Sequence, residues 1–196
     1  MVQKGLTFII GGTKSGKSAF AEDLFSRDER ICYVATGVSE HPDTEMQLRI
    51  KRHQARRSAK WQTAEQFKNL DKLVMNNQLD GYLIDDLTMM VTNLFYQRIL
   101  TQTKSEQLDD YLMSIGWEKL GELSDEILNA VKRLLAAQLA TKQKMVIVSD
   151  EVGLGVVPAT KQTRILRDLY GQANQLVAKA AEQAYFVISG LPQKLK

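Results

Sequence analysis

The sequence predicts an α/β domain with a mainly parallel sheet and helices on both faces. Five short apolar runs alternate with longer stretches of helical periodicity. Strands that alternate with helices are joined by right-handed crossovers, which place helices over both faces of a parallel sheet. Ligands of such sheets bind at the carboxyl ends of the strands, so we expect the functional residues at that edge. The five predicted strands are Leu6–Ile10, Ile31–Ala35, Tyr82–Ile84, Met145–Val148 and Tyr185–Ile188.

Three helices are predicted between and after these strands. Ala19–Phe25 forms a first helix. Leu120–Ala137 keeps apolar residues at helical spacing, namely Leu120, Leu123, Ile127, Val131 and Leu134. The last helix does the same with Ile165, Leu169, Ala173, Leu176 and Ala180. The polar segment Gln97–Gly116 is predicted to be a connection with some helix.

Length and composition predict one globular domain over residues 1–196. Hydrophobic residues make up 44% and charged residues 25% of the chain, which argues against disorder. The net charge is only +3, so no nucleic-acid partner is expected. Cys32 is the single cysteine and suits a buried position in a reducing compartment. No run reaches about 18 apolar residues, and the first run is too short for a signal peptide, so we expect a cytoplasmic protein without a membrane span.

The first predicted strand leads into Gly11-Gly12-Thr13-Lys14-Ser15-Gly16-Lys17-Ser18, which fits the phosphate-binding pattern G-x-x-x-x-G-K-[ST]. Glycines allow backbone N–H groups to approach phosphate oxygens, and the helix that follows favours an anion at its N-terminus. Lys17 is predicted to reach the β- and γ-phosphates, and the Ser18 hydroxyl to hold Mg²⁺. The strand before the loop and the helix after it make this more than a chance glycine turn.

Two other predicted strands end in residues suited to the same site. Ala35-Thr36-Gly37 closes the second strand and is either part of the nucleotide site or an ordinary turn. Asp85 closes the third and is favoured as the acid that supports Mg²⁺ in a nucleotide site, with a strand-end capping aspartate as the alternative.

Asp43–Arg57 has the pattern of a basic helix that carries a histidine. His53 and nearby arginines suit a polyphosphate, because arginines neutralise phosphate and an imidazole can attack phosphorus. Spacing alone favours a solvated basic helix instead. His41 is the only other histidine and is interpreted as a loop residue, so a zinc cluster is unsupported. Glu65 is either a hydrogen-bond acceptor for a guanine or ribose or a surface charge.

The fourth predicted strand runs into a glycine-bearing segment, Glu151–Gly155, that could close over a substrate. Arg164, Arg167 and Asp168 begin the last helix. They face either this edge or solvent.

With these motifs in view, the chain resembles the bifunctional adenosylcobinamide kinase / adenosylcobinamide-phosphate guanylyltransferase family of cobalamin assembly. The resemblance spans nearly the whole chain and rests on several motifs in one order. Besides Gly11–Ser18 these are Tyr33-Val34-Ala35-Thr36, Asp43-x-Glu45-Met46-x-x-Arg49-Ile50-x-x-His53-x-x-x-Arg57, Trp61-x-Thr63-Ala64-Glu65, Ile84-Asp85-x-Leu87-Thr88-x-x-x-Thr92-Asn93-Leu94, Glu151-Val152-Gly153-x-Gly155-Val156-Val157-Pro158, Arg167-Asp168-x-x-Gly171-x-x-Asn174 and Ser189-Gly190-Leu191-Pro192.

The resemblance implies two reactions and a set of site residues. In one reaction a nucleoside triphosphate, ATP or GTP, phosphorylates adenosylcobinamide. In the other, a histidine attacks the α-phosphate of GTP and passes GMP to adenosylcobinamide phosphate, giving adenosylcobinamide-GDP. The matching histidine is His53, which the resemblance makes the expected nucleophile. It also implies a RecA-like P-loop fold, a homotrimer, and nucleotide contacts at Gly11–Ser18, Ala35, Thr36, Gly37, Gln54, Ala55, Arg56, Arg57, Glu65 and Asp85.

The chain departs from the family pattern at a few places. Asp150 stands where Asn is usual, Ala159 where an acidic residue is common, Asp86 where Cys is frequent, and Glu182-Gln183-Ala184 replaces a segment that contains aspartate. Two other hypotheses stay open at this point: a plain P-loop kinase of small molecules, which needs no histidine, and a non-catalytic nucleotide switch.

Overall fold

A computed structural model describes residues 5–38, 58–76 and 79–196, and these residues form a seven-stranded sheet with helices on both faces. The strands are β1 Leu6–Gly11, β2 Ile31–Ala35, β3 Gln62–Glu65, β4 Gly81–Asp85, β5 Lys144–Asp150, β6 Gln183–Ile188 and β7 Leu191–Lys194. Their order in the sheet is β3-β2-β4-β5-β1-β6-β7. All pairs are parallel except β6 and β7. The predicted α/β class, with a mainly parallel sheet and helices on both faces, is confirmed.

The described helices are α1 Lys17–Asp23, α2 Leu70–Asn76, α3 Leu87–Ile99, α4 Leu108–Ser114, α5 Trp117–Thr141 and α6 Lys161–Ala180. All three predicted helices are present, with α1 two residues earlier than expected. Gln97–Gly116 contains the end of α3, a 3-10 turn at Ser105–Gln107 and all of α4. The predicted helix within Asp43–Arg57 lies outside the described residues.

The apolar stripe of α5 is buried at every predicted position. In α6 the buried stripe is shifted from the predicted one, since Leu166, Leu169, Ala173 and Val177 are buried while Ala180 is exposed. The shift leaves Asn174 on the buried face, where it takes part in the site described below.

Two apolar clusters cover the two faces of the sheet because alternate residues of each strand point to opposite sides. In β1, Phe8 packs with the helices α2 to α6, whereas Ile9 packs with Phe25 and the residues around α1. Four of the five predicted strands are thereby buried along most of their length, whereas β6 is only partly buried.

The parallel register brings the carboxyl ends of the central strands together. Gly11 of β1 stands beside Asp150 of β5, and Ala35 of β2 stands beside both Glu65 of β3 and Asp85 of β4. Every strand-end residue that the sequence singled out is therefore at one edge of the sheet.

The candidate nucleotide site

The phosphate loop begins at the end of β1 and runs into α1. Gly16 is the N-cap of α1, with a φ of 97°, and contributes no side-chain oxygen to the first helical turn. The N–H groups of that turn therefore lack a side-chain cap, and an anion can take its place. Gly12, Thr13 and Lys14 are exposed on this loop, whereas Ser15 is buried.

A tight turn between β6 and β7 packs against the phosphate loop. The N–H of Gly190 donates to the carbonyl of Ser15 at 2.7 Å. A Cβ on Gly11 would stand 2.5 Å from the carbonyl oxygen of Val187, and one on Gly16 would stand 3.1 Å from Cα of Gly190. Only glycine fits against this turn, so the loop and the Ser189-Gly190 motif form one unit.

Lys17 is buried and directed at strand-end oxygens. Its ammonium lies 2.5 Å from Oδ1 of Asp150 and donates to the carbonyl of Gly12 at 3.3 Å. Asp150 was known from the sequence only as a departure from the family pattern. Its contact with Lys17 follows from the sheet order, which puts β5 next to β1.

Ser18 and Asp85, the predicted metal ligands, lie in contact. The Ser18 hydroxyl donates to Oδ1 of Asp85 at 3.2 Å. The hydroxyl of Tyr33 donates to Oδ2 of the same carboxylate at 2.6 Å and fixes its orientation. A hydroxyl beside an oriented carboxylate is an oxygen donor set that Mg²⁺ accepts.

Asp86 has a separate role from its neighbour. Its Oδ1 accepts from the N–H of Met89 at 2.7 Å and caps α3. Burial, together with the nearby carboxylates of Asp85 and Asp150, raises the pKa of Asp86 to about 7, although the hydrogen bond from Met89 and the charge of Lys17 act to lower it.

Thr36 is fully buried next to the site and holds neighbouring main-chain segments by hydrogen bonds. Its hydroxyl donates to the carbonyl of Asp86 at 2.5 Å, and its own carbonyl accepts from the amide of Asn93 at 2.7 Å. Ala35 and Gly37 on either side are partly exposed. The side chain of Thr36 thus links the ends of β2 and β4.

A buried polar network, which sequence reasoning missed, fixes the end of β5. The Ser149 hydroxyl donates to Oδ1 of Asn174 at 2.6 Å and lies 3.2 Å from the Thr88 hydroxyl. Thr88 accepts from the N–H of Asp150 at 2.9 Å, and Asn174 donates to the carbonyl of Asp150 at 3.2 Å. The threonine and asparagine were visible as motif positions, but their partnership depends on α3 and α6 packing on one face.

The segment after β5 is held by the two arginines at the start of α6. Arg167 donates to the carbonyls of Gly153 and Gly155 at 2.5 and 3.2 Å, and Arg164 donates to the carbonyl of Ala159 at 2.6 Å. Arg167 thus contacts the segment at the carboxyl edge, whereas Arg164 and Asp168 are exposed, so each sequence alternative describes part of this turn. Val156 on this segment is 95% exposed.

Glu65 is exposed at the end of edge strand β3. The structure thus brings Gly11–Ser18, Ala35–Gly37, Glu65 and Asp85 to one edge. His53, Gln54, Ala55, Arg56 and Arg57 lie outside the described residues, as does His41. Within the described part of the chain, no group of three or more His, Cys, Asp or Glu side chains could hold a metal ion.

The comparisons with known proteins agree with these motifs. The sequence profile of the family CobU, described as cobinamide kinase / cobinamide phosphate guanyltransferase, matches residues 7–195. The chain belongs to this family. The family predicted from the motifs, and the enzyme class that its description gives, are therefore confirmed.

Three relatives extend over nearly the whole chain. The bifunctional adenosylcobalamin biosynthesis protein CobU of Salmonella typhimurium is 36% identical over 193 residues, which are 97% of this chain and 99% of that protein. The CobU protein of Escherichia coli is 33% identical, with 97% and 99% covered. The bifunctional adenosylcobalamin biosynthesis protein CobP of Pseudomonas aeruginosa is 34% identical, with 96% and 95% covered.

Two solved structures are also similar. The flagellar accessory protein FlaH from Methanocaldococcus jannaschii has a TM-score of 0.46 and 14% identity, over 98% of this chain and 78% of that one. The KaiC-like protein PH0186 from Pyrococcus horikoshii has a TM-score of 0.43 and 12% identity, over 93% and 70%. In the described residues, no helix is long and apolar enough to cross a membrane.

Proposed function

We propose that the chain phosphorylates adenosylcobinamide and transfers GMP from GTP to adenosylcobinamide phosphate, giving adenosylcobinamide-GDP. The observation that carries the proposal is the contact of the phosphate-loop residue Ser18 with the strand-end carboxylate of Asp85, in a chain whose family match is nearly complete. This pair, with Lys17 beside it, is the minimal apparatus for holding a metal-bound triphosphate.

The kinase step uses the phosphate loop. Lys17 and the N–H groups at the start of α1 bind the β- and γ-phosphates and stabilise the charge that develops on them. The acceptor hydroxyl attacks the γ-phosphorus, the bond to the β-phosphate oxygen breaks, and the nucleoside diphosphate leaves. Lys17 is buried beside the loop, so its charge is little screened by water.

Mg²⁺ is the cofactor that these residues fit. The Ser18 hydroxyl and the Asp85 carboxylate would hold it, and Tyr33 would keep the carboxylate in place. When bound, the ion supplies positive charge to the phosphate oxygens. The nucleotide substrates are GTP and ATP.

The guanylyl transfer adds a covalent step at His53. The imidazole attacks the α-phosphorus of GTP and pyrophosphate leaves. An oxygen of the acceptor phosphate then attacks the same phosphorus, the bond to the histidine nitrogen breaks, and the imidazole is released. This proposal rests on the sequence motif around His53 and on family membership. Gln54, Ala55, Arg56, Arg57 and Glu65 are proposed nucleotide contacts on the same basis.

For assembly and location, the proposal rests on the resemblance to the family. We infer a homotrimer that acts in the cytoplasm on small-molecule substrates, with no nucleic-acid partner. The buried thiol of Cys32 is compatible with a reducing compartment.

A product assay tests the proposal. Purified protein is incubated with adenosylcobinamide, Mg²⁺ and either GTP or ATP, and corrinoid products are identified by mass spectrometry. We expect the phosphate with either nucleotide and the GDP-linked product with GTP. Asp85→Asn is expected to lower kcat for both products by about 100-fold, because it weakens the hold on the metal ion that would stabilise transition-state charge.

The matched control removes an equal charge elsewhere. Asp125 is exposed on α5, and Asp125→Asn is expected to keep native rates. Phosphate product without any GDP-linked product would instead support the plain kinase. Nucleotide binding without turnover would support the switch hypothesis.

A further inference from the structure

The P-loop lysine already has an anionic partner within the chain. Oδ1 of Asp150 lies 2.5 Å from the Lys17 ammonium, and the two side chains are 25% and 10% exposed. That oxygen is buried and accepts no hydrogen bond elsewhere in the described residues. Lys17 thus compensates the negative charge of the Asp150 carboxylate. The carboxylate oxygen lies beside the Lys17 ammonium, where a phosphate oxygen of a bound nucleotide would lie.

The main chain of Asp150 is fixed at the carboxyl edge of the sheet. Its N–H donates to Thr88, its carbonyl accepts from Asn174, and its Cα is paired with that of Gly11. The side chain therefore remains next to the phosphate loop when phosphates draw the Lys17 ammonium toward themselves. The buried Oδ1 then loses its cation, and the charge of the carboxylate repels the phosphates beside it.

We propose that Asp150 makes the phosphate loop select metal-bound over metal-free nucleotide. A metal ion cancels part of the triphosphate charge and so weakens the repulsion by Asp150, whereas a metal-free triphosphate meets it in full. The inference rests on the proposed nucleotide site and adds a specificity-determining residue to it.

The substitution Asp150→Asn separates charge from shape. It keeps the side-chain size and both main-chain hydrogen bonds of position 150, so we expect it to fold. Titration calorimetry measures the Kd of GTP for the full chain, once with excess Mg²⁺ and once with a chelator. Asp125→Asn, which removes an equal charge on α5, serves as control.

We expect Asp150→Asn to tighten metal-free GTP binding by about tenfold and Mg²⁺-bound GTP by less than about threefold. The ratio of the two Kd values then falls, while it stays native in Asp125→Asn. An unchanged ratio, or weaker binding of both forms, would overturn the inference. Failure of the native chain to bind Mg²⁺-bound GTP would instead refute the proposed nucleotide site.

Thermal unfolding of both variants accompanies the titration. A folded Asp150→Asn variant whose GTP affinity is lost in both conditions would show that the carboxylate is itself a nucleotide contact, which also contradicts the inference.

Discussion

Two adjacent aspartates at the end of β4, Asp85 and Asp86, have different roles. The sequence presented these roles, a site carboxylate and a cap, as alternatives for Asp85. Asp85 faces Ser18 and Tyr33, while Asp86 caps α3. The strand-end position was enough to predict a carboxylate at the site. The sequence named Asp85 for this position, but the helix cap by Asp86 was not predicted, because it depends on the backbone path into α3.

Cys32 is a residue whose chemistry follows from burial. Its side chain is 3% exposed, and burial raises the pKa of its thiol from 9.0 to about 11. The raised pKa reduces the thiolate population about 100-fold in the folded state. We expect alkylation of the native chain at mildly alkaline pH to be slower than that of the unfolded chain by at least this factor.

The same shift gives a pH dependence with a definite sign. Because the folded pKa is above the unfolded value, the folded state keeps the proton that the unfolded state releases. The free energy of unfolding should therefore fall as pH rises from about 9 to about 11. The substitution Cys32→Ala should remove this contribution, and rapid alkylation of native Cys32 would contradict the account.

At the scale of elements, the strands that sequence reasoning missed are the two at the sheet edges. Gln62–Glu65 is mostly exposed and has no apolar alternation, and Leu191–Lys194 is exposed and contains a proline. Edge strands bury little surface, so the apolar pattern that predicts central strands is absent from them. The five central strands were predictable because both of their faces are covered.

The hairpin that ends in β7 predicts a contrast between two glycines of the phosphate loop. Gly11→Ala places a Cβ against the carbonyl of Val187, whereas a Cβ on Gly12 meets nothing within 4 Å. We expect Gly11→Ala to lower the free energy of unfolding by about 2 kcal/mol. Gly12→Ala should change it by less than about 0.5 kcal/mol. Denaturant unfolding measures both, and equal values would refute the support role of the hairpin.

The buried network under β5 predicts a cost for losing a single hydroxyl. Ser149→Ala leaves the Asn174 carbonyl oxygen without its donor, and should lower the free energy of unfolding by about 1 to 3 kcal/mol. The exposed Ser114 also donates to a carbonyl, but water can replace it. Ser114→Ala should change stability by less than about 0.5 kcal/mol, and chemical denaturation distinguishes the two.

Across the whole molecule, the carboxyl ends and the amino ends of the strands have different roles. The carboxyl edge carries the candidate site, while at the amino edge Lys144 pairs with the buried Glu29 at 3.2 Å and donates to the carbonyl of Leu24 at 2.7 Å. The sheet order behind this arrangement could not be predicted, because apolar runs do not specify which strands become neighbours.

Because the Lys144–Glu29 pair and the candidate site lie at opposite ends of the strands, we expect that a substitution in the pair can lower stability without changing nucleotide binding. Lys144→Met leaves Glu29 buried without its cation and should lower the free energy of unfolding by about 3 kcal/mol. Arg30→Met breaks an exposed pair with Asp80 and should cost less than about 1 kcal/mol. The Kd of Mg²⁺-bound GTP should be native in both. A weakened Kd in folded Lys144→Met would show that the two edges are coupled.

The most direct measurement is covalent labelling of the chain by GTP. The protein is incubated with Mg²⁺ and GTP labelled at either the α- or the γ-phosphate, then denatured and mapped by mass spectrometry. We predict an acid-labile, alkali-stable label from the α-phosphate on His53, no label from the γ-phosphate, and none on His53→Ala. A chain that binds GTP without acquiring the α-label would contradict the guanylyl-histidine account. The kinase reaction would then be the only one of the two reactions still supported.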